Sequence, residues 1–105
     1  MAQRESNLSR KIMEALRENG YFCFKVHGSE YMMAGLPDII VCAEGYFLGL
    51  ETKLPETREN VSPRQAYVHG LINTAGGYAT VVCSPAEAIT IVEQWLEGHS
   101  EPEGA

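Results

Sequence analysis

Hydrophobic residues recur along the chain first at helical spacing and then at strand spacing. Leu8, Ile12 and Leu16 lie three to four residues apart, as on one face of a helix. They predict an amphipathic helix over about residues 5–19, which Gly20 ends.

Three segments with strand character follow this helix: residues 21–27, 38–43 and 46–53. The first alternates, with Phe22, Phe24 and Val26 on one face. The other two are separated by Glu44-Gly45, a pair that favours a tight turn, so they are expected to form a hairpin.

The second half of the chain predicts a helix, a strand and a final helix. Residues 54–61 are polar and are expected to form a mobile loop. Ser62, Pro63 and Gln65 then form a capping-box helix start, and the helix should end near residue 75. A strand over residues 78–83 and a helix over about 84–96 complete the order α-β-β-β-α-β-α. This order predicts an α/β domain with a small mixed β-sheet flanked by helices.

Length and composition fit one globular domain. The chain has 105 residues, 45% of them hydrophobic and 21% charged. These values argue against disorder and favour a single domain over residues 1–97, followed by an acidic flexible tail over 98–105. No apolar run suits a membrane span or a signal peptide.

The cysteines predict a reducing location. They are odd in number, widely spaced and set among apolar neighbours: Cys23, Cys42 and Cys83. Such a set matches neither a disulfide framework nor zinc spacing. Buried free thiols in the cytoplasm are expected.

Charge is distributed unevenly. The net charge is −6, yet all eight Lys and Arg residues lie between Arg4 and Arg64. Residues 1–64 carry nine acids and a net charge of −1, whereas residues 65–105 carry five acids and no base. A cation bound to acids in the first part would make it locally positive, which permits weak, salt-sensitive binding of nucleic acid.

Two carboxylates and an amine suggest a metal-dependent site. With a turn at 44–45, Asp38 and Glu51 come roughly opposite each other, and Lys53 shares the strand face of Glu51. Facing carboxylates repel unless a cation lies between them, and oxygen ligands are those that Mg²⁺ prefers. This set therefore suggests metal-assisted phosphodiester hydrolysis. The alternative is a turn aspartate after Pro37 with two solvated strand charges, but these charges interrupt an otherwise apolar strand where it should end.

Two polar residues elsewhere are candidates for the same site. Glu5 lies on the helix face of Leu8, whereas Glu14 lies on the opposite face, so Glu5 is the helix acid expected to reach the sheet. It could equally be a first-turn acid favoured by the helix dipole. Gln65 could touch the attacking water or the scissile phosphate, or serve only as the capping partner of Ser62.

Basic residues near these segments are candidates for contact with DNA, although a solvated surface role is equally open for them: Lys25, His27, Arg58 and Arg64. His69 and His99 offer no plausible set of metal ligands in the sequence.

Several short motifs, in this order, resemble the virus-type replication-repair nuclease (VRR-NUC) domain of the PD-(D/E)xK nuclease superfamily, which is similar to Holliday-junction resolvases. They span the chain from Glu5 to about Leu96 and comprise the Glu5-Ser6 helix ending at Asn19-Gly20, Gly35-Leu36-Pro37-Asp38, Gly49-Leu50-Glu51-Thr52-Lys53, Ser62-Pro63-Arg64-Gln65 and Ala75-Gly76-Gly77.

The resemblance implies a restriction-endonuclease-like core and a Mg²⁺-dependent endonuclease, with Mn²⁺ able to substitute. Asp38, Glu51 and the backbone carbonyl of Thr52 would be metal ligands, and Lys53 the catalytic lysine. Glu5 matches the family's helix acid, which could also bind metal, and Gln65 its helix glutamine. Small members resemble phage or bacterial proteins that dimerise and cut branched DNA in the cytoplasm. A homodimer acting on four-way junctions is therefore expected.

Two alternatives remain open at the level of sequence. One is a nuclease that prefers flaps, nicked duplex or single strands, a choice that residues 28–36 and 54–61 would set. The other is a non-catalytic DNA-binding or partner-docking module on the same fold. Intact Asp38, Glu51 and Lys53 argue against the second.

Overall fold

A four-stranded mixed sheet organises the molecule. The computed structural model describes residues 2–99. Its elements are α1 (Ala2–Glu18), β1 (Phe22–Lys25), β2 (Ile39–Ala43), β3 (Tyr46–Thr52), a 3-10 turn (Pro55–Thr57), α2 (Pro63–Thr74), β4 (Tyr78–Val82) and α3 (Pro85–His99). The strands lie in the order β1-β2-β3-β4, antiparallel except for the parallel pair β3–β4. The predicted order of elements is confirmed.

The hydrophobic core lies between one face of the sheet and the helices α1 and α3. Side chains from both helices and all four strands are buried together there: Ile12, Leu16, Cys23, Ile39, Val41, Leu48, Leu50, Val82, Ala88, Val92 and Leu96. Strand residues alternate between faces, so the intervening residues point to the other side of the sheet. We call this second side the outer face; α2 packs over part of it.

Alternation in β1 is present, but its phenylalanines do not enter the core. Cys23 is buried, whereas Phe22 and Phe24 are 66% and 47% exposed. Phe22 pairs with Cys42, and Cys42 pairs with Phe47, so these three lie side by side on the outer face. The expectation of buried thiols is therefore right for Cys23 and wrong for Cys42, which is exposed because it alternates with the buried Val41 and Ala43. Cys83 is half-buried, and all three thiols are free.

Two segments differ from the sequence prediction. The predicted loop at 54–61 contains one 3-10 turn, and its Glu56 forms an ion pair of 2.8 Å with Arg4 of α1. Helix α3 continues to His99 because Trp95 stacks on the His99 ring and Tyr46 donates a hydrogen bond to the His99 carbonyl. The first two residues of the predicted tail are thus helical, and residues 100–105 lie outside the described part of the chain.

No helix within residues 2–99 combines the length and apolar character that a membrane crossing requires.

Candidate active site

The register of the β2–β3 hairpin brings the two predicted carboxylates together. Ile39 pairs with Leu50, so Asp38 and Glu51, the next residues outward, lie opposite each other at the end of the hairpin. Asp38 Oδ2 accepts a hydrogen bond of 2.9 Å from the backbone amide of Thr52. The predicted geometry of the pair is confirmed, on the outer face of the sheet.

Close packing at two glycines, Gly49 and Gly35, explains why Asp38 takes this position. Pro37 lies directly over Gly49 of β3, where a Cβ atom would come within 2.5 Å of the Pro37 ring. Gly35 has φ +88°, and a Cβ there would lie 2.7 Å from the carbonyl oxygen of Arg64 in α2. Both approaches require glycine, and together they hold the segment before Asp38 between the sheet and α2.

Glu51 is a carboxyl group in an unfavourable environment for its charge. It is 2% exposed, and its Oε1 has no hydrogen-bond partner within the described chain. Burial, followed by the charge of Asp38 and a hydrogen bond with it, raises the pKa of Glu51 to about 8, whereas Lys53 lowers it. Glu5 adds a smaller upward effect, which places this α1 residue within electrostatic reach of the site.

Gln65 completes the helix cap and also reaches Glu51, while its predicted contact with the attacking water or the phosphate stays a prediction. Its Oε1 accepts a hydrogen bond from the Ser62 backbone amide, while the Ser62 hydroxyl accepts one from the Gln65 amide, so the capping box is complete. Its Nε2 donates to Glu51 Oε2 at 3.3 Å. The Gln65 side chain therefore caps the first turn of α2 and contacts the Glu51 carboxylate.

His69 is a site residue that the sequence analysis missed. It follows Gln65 by one helical turn, is 8% exposed, and its Nε2 lies 3.9 Å from Glu51 Oε1. Burial lowers the pKa of His69, and the charge of Asp38 acts in the opposite direction. The available signal was its spacing of four residues from Gln65, which puts both on one helix face.

The predicted DNA-contacting residues are dispersed, and most already have partners. Lys25 donates to the buried Ser9 hydroxyl on α1, and Arg58 forms a bidentate ion pair with Glu87. Arg64 donates to the Ala34 carbonyl and its guanidinium lies 5.7 Å from the centre of the Tyr67 ring. His27 is exposed. Their roles toward DNA stay predictions.

The donor set fits a hard divalent cation. Asp38 and Glu51 offer carboxylate oxygens, and Glu51 Oε1 is buried without a hydrogen-bond partner in the described residues; the carbonyl of Thr52, the next residue along the chain, stays a predicted third ligand. In residues 2–99, no group of three or more His, Cys, Asp or Glu side chains lies close enough to hold a metal ion. Mg²⁺ is commonly bound by one or two carboxylates and keeps several waters, so the pair is sufficient.

Comparison with solved structures identifies the fold. A VRR_NUC domain is similar over 87% of this chain and 96% of its own, with a TM-score of 0.66 and 23% identity. A VRR_NUC domain protein is similar over 89% and 88%, with a TM-score of 0.68 and 18% identity. Hjc, a Holliday junction resolvase from Archaeoglobus fulgidus, is similar over 75% and 67%, with a TM-score of 0.58 and 19% identity. No family model and no curated protein matches the sequence. The chain therefore has the fold shared by VRR-NUC domains and resolvase-like nucleases.

Proposed function

We propose that the protein is a metal-dependent DNA endonuclease that hydrolyses phosphodiester bonds at four-way or related branched junctions. The observation that carries this proposal is the buried Glu51 opposite the half-buried Asp38, with Lys53 close enough to act on the pKa of Glu51, at the end of the hairpin in a nuclease fold. A purely structural role would not require a carboxyl group whose pKa is raised to about 8.

In this proposal, each residue of the candidate site has a distinct role. Asp38, Glu51 and the Thr52 carbonyl would hold Mg²⁺ or Mn²⁺, and Glu5 would add negative charge from α1. The bound cation would act as a Lewis acid toward the phosphate. Lys53 would orient the attacking water and offset the charge that develops on the phosphate as the new P–O bond forms and the old one breaks. Gln65 would hold the Glu51 carboxylate.

We also propose that the protein acts as a homodimer, whose contact surface is an apolar part of the outer face. We define this surface by its exposed side chains: Phe22, Phe24, Met33, Phe47 and Leu71. Met33, Phe47 and Leu71 line one cavity of about 310 Å³, and the Phe22 and Phe24 rings lie 6.1 Å apart. At about 200 Å² per side chain, their exposed fractions leave roughly 500 Å² of apolar surface. That is close to the apolar share of one side of a typical dimer interface, which buries about 800 Å² per partner.

A cleavage assay tests the proposed activity. The protein is incubated with Mg²⁺ or Mn²⁺ and a panel of four-way junction, flap, nicked, duplex and single-stranded DNA. Symmetric paired nicks in the four-way junction are expected, and Lys53→Ala should remove them without unfolding the protein. Undiminished cutting by Lys53→Ala would overturn the mechanism, and cleavage confined to linear ends would overturn the junction preference.

Calorimetric titration with Mn²⁺ separates the enzyme from a non-catalytic DNA-binding module. An enzyme of this kind should bind the cation, and Asp38→Ala should abolish binding. Absence of binding to the unmodified protein would favour the module.

A further inference from the structure

Two buried polar atoms face each other across a short gap in the candidate site. His69 Nε2 and Glu51 Oε1 are 3.9 Å apart, and neither has a hydrogen-bond partner within the described residues. Each unpaired buried group costs about 1–3 kcal/mol, so such atoms are rarely left without a partner. The two groups have complementary chemistry, because a neutral imidazole carries one N–H donor and a carboxylate accepts.

Helix α2 presents a second donor to the same carboxyl group. Gln65, one turn before His69, donates its Nε2–H to the other oxygen of Glu51, Oε2. Residues four apart on a helix lie on one face. Gln65 and His69 therefore both point from α2 toward Glu51, Gln65 to its Oε2 and His69 to its Oε1.

We propose that His69 is a positioning residue for Glu51, donating its Nε2–H to Oε1 while Gln65 holds Oε2. The gap exceeds a hydrogen bond by about 1 Å, which small rotations of the two side chains close when Glu51 turns toward a cation. The two donors fix the plane of the carboxylate and leave its remaining lone pairs for the metal. This inference rests on the proposed function, since it concerns how the site holds its divalent cation.

His69 differs from a core histidine in where its side chain lies. Its imidazole fills no part of the main hydrophobic cluster between the sheet and α1 and α3. It lies instead over the outer face, 3.9 Å from Glu51 Oε1, and lines a cavity that has both polar and apolar walls, Arg58 and Val61 among them. If position 69 served only for packing, an apolar side chain would fill it without leaving a buried nitrogen unpaired.

Metal binding by variants of His69 provides the test. His69→Leu removes the donor at similar volume, His69→Gln retains an N–H donor, and Tyr67→Phe is a control on an exposed part of α2. Binding of Mn²⁺ and Mg²⁺ is measured by titration calorimetry at pH 8.5. We expect His69→Leu to bind both cations 10–100-fold more weakly, as is usual when a partner of a metal ligand is lost. His69→Gln and Tyr67→Phe should stay within a few-fold of the unmodified protein.

Any other result would contradict the positioning role of His69, and the possible results can be told apart. Unchanged affinity in His69→Leu would overturn the positioning role alone. Weakened Mn²⁺ binding with intact Mg²⁺ binding would make His69 a direct nitrogen ligand instead. If the unmodified protein binds neither cation, the proposed function fails and this role fails with it. Thermal unfolding in chelator establishes that each variant is folded; should His69→Leu fail to fold, His69→Phe removes the same donor.

Discussion

At the scale of single residues, Glu51 is the group of the candidate site whose protonation is most strongly perturbed. It is a buried acid opposite another acid, with a pKa raised to about 8. Such a group is poorly tolerated in the folded protein unless it is protonated or bound to a cation. The cost of placing it there supports the proposed cation site.

Stability without metal should therefore fall as pH rises. The pKa of Glu51 is raised above its ordinary value of 4.5, so its contribution is complete below pH 4.5 and is lost as pH rises toward 8. His69, whose pKa is lowered by burial, costs stability only below pH 6.5 and does not interfere above it. In chelator, thermal unfolding should show lower stability at pH 8.5 than at pH 6.5, and Glu51→Gln should flatten this dependence. An equal slope in Glu51→Gln would assign the effect to another group.

The two contacts of Gln65, with the Ser62 amide and with Glu51, can be separated by substitution. Gln65→Glu keeps an acceptor for the Ser62 amide but loses the N–H that contacts Glu51. Ser62→Ala loses the cap, at a cost of about 1 kcal/mol, and leaves Glu51 alone. We expect Gln65→Glu to keep the cap, to lose stability as pH rises because its carboxylate repels that of Glu51, and to cleave DNA at least tenfold more slowly. Ser62→Ala should be less stable with near-normal cleavage. Full activity in Gln65→Glu would reduce Gln65 to a cap.

At the scale of elements, the β2–β3 hairpin brings Asp38 and Glu51 together, and the packing of Pro37 on Gly49 holds Asp38 in place. The turn at Glu44-Gly45 has positive φ at both residues, 52° and 86°, as type I′ hairpin turns require. This turn fixes the register that puts Asp38 opposite Glu51. Pro37 then packs on the flat surface that Gly49 leaves, so Asp38 cannot drift from the strand.

Gly49→Ala should disturb the site through packing alone. Its Cβ would lie 2.5 Å from the Pro37 ring, and relief requires movement of the segment that carries Asp38. We expect a loss of about 1–3 kcal/mol in the free energy of unfolding, as for overpacked cores, and weaker binding of Mn²⁺. Gly70→Ala is the matched control: it lies in α2 with open space around it and should be neutral or stabilising. Similar behaviour of the two variants in denaturant unfolding would argue against the packing account.

At the scale of the whole molecule, the two faces of the sheet serve different purposes. One is covered by α1 and α3 and holds the core. The other is only partly covered by α2, and it carries both the candidate site and the exposed apolar surface around Phe22 and Phe47. A dimer through that surface would bring the outer faces of the two copies together.

Solution mass tests the proposed dimer. The unmodified protein should elute with twice the chain mass of 11.6 kDa in light scattering coupled to size-exclusion chromatography. Phe22→Asp places a charge in the apolar surface and should shift the protein to the monomer without loss of stability, since Phe22 is 66% exposed. Gln94→Asp adds the same charge on exposed α3 and should remain dimeric. Dissociation by both variants, or by neither, would contradict the proposed interface.

Much of the fold followed from local patterns. Capping residues and glycines marked the helix ends to within a few residues, because these signals are read within one turn of chain. The position of Asp38 opposite Glu51 followed from the turn and from the two-residue period of strands, which together leave one register. The candidate pair was therefore predictable before any helix was placed.

What periodicity cannot determine is which face of an element becomes covered. The sequence by itself determined the order of elements and the carboxylate pair, since both depend on neighbours along the chain. Only the tertiary structure decided that Phe22 and Phe24 stay outside the core, that Glu51 is buried, and that His69 lies against it. These outcomes depend on where α2 comes to rest on the sheet, which is set by long-range packing at Gly35 rather than by residues adjacent in sequence.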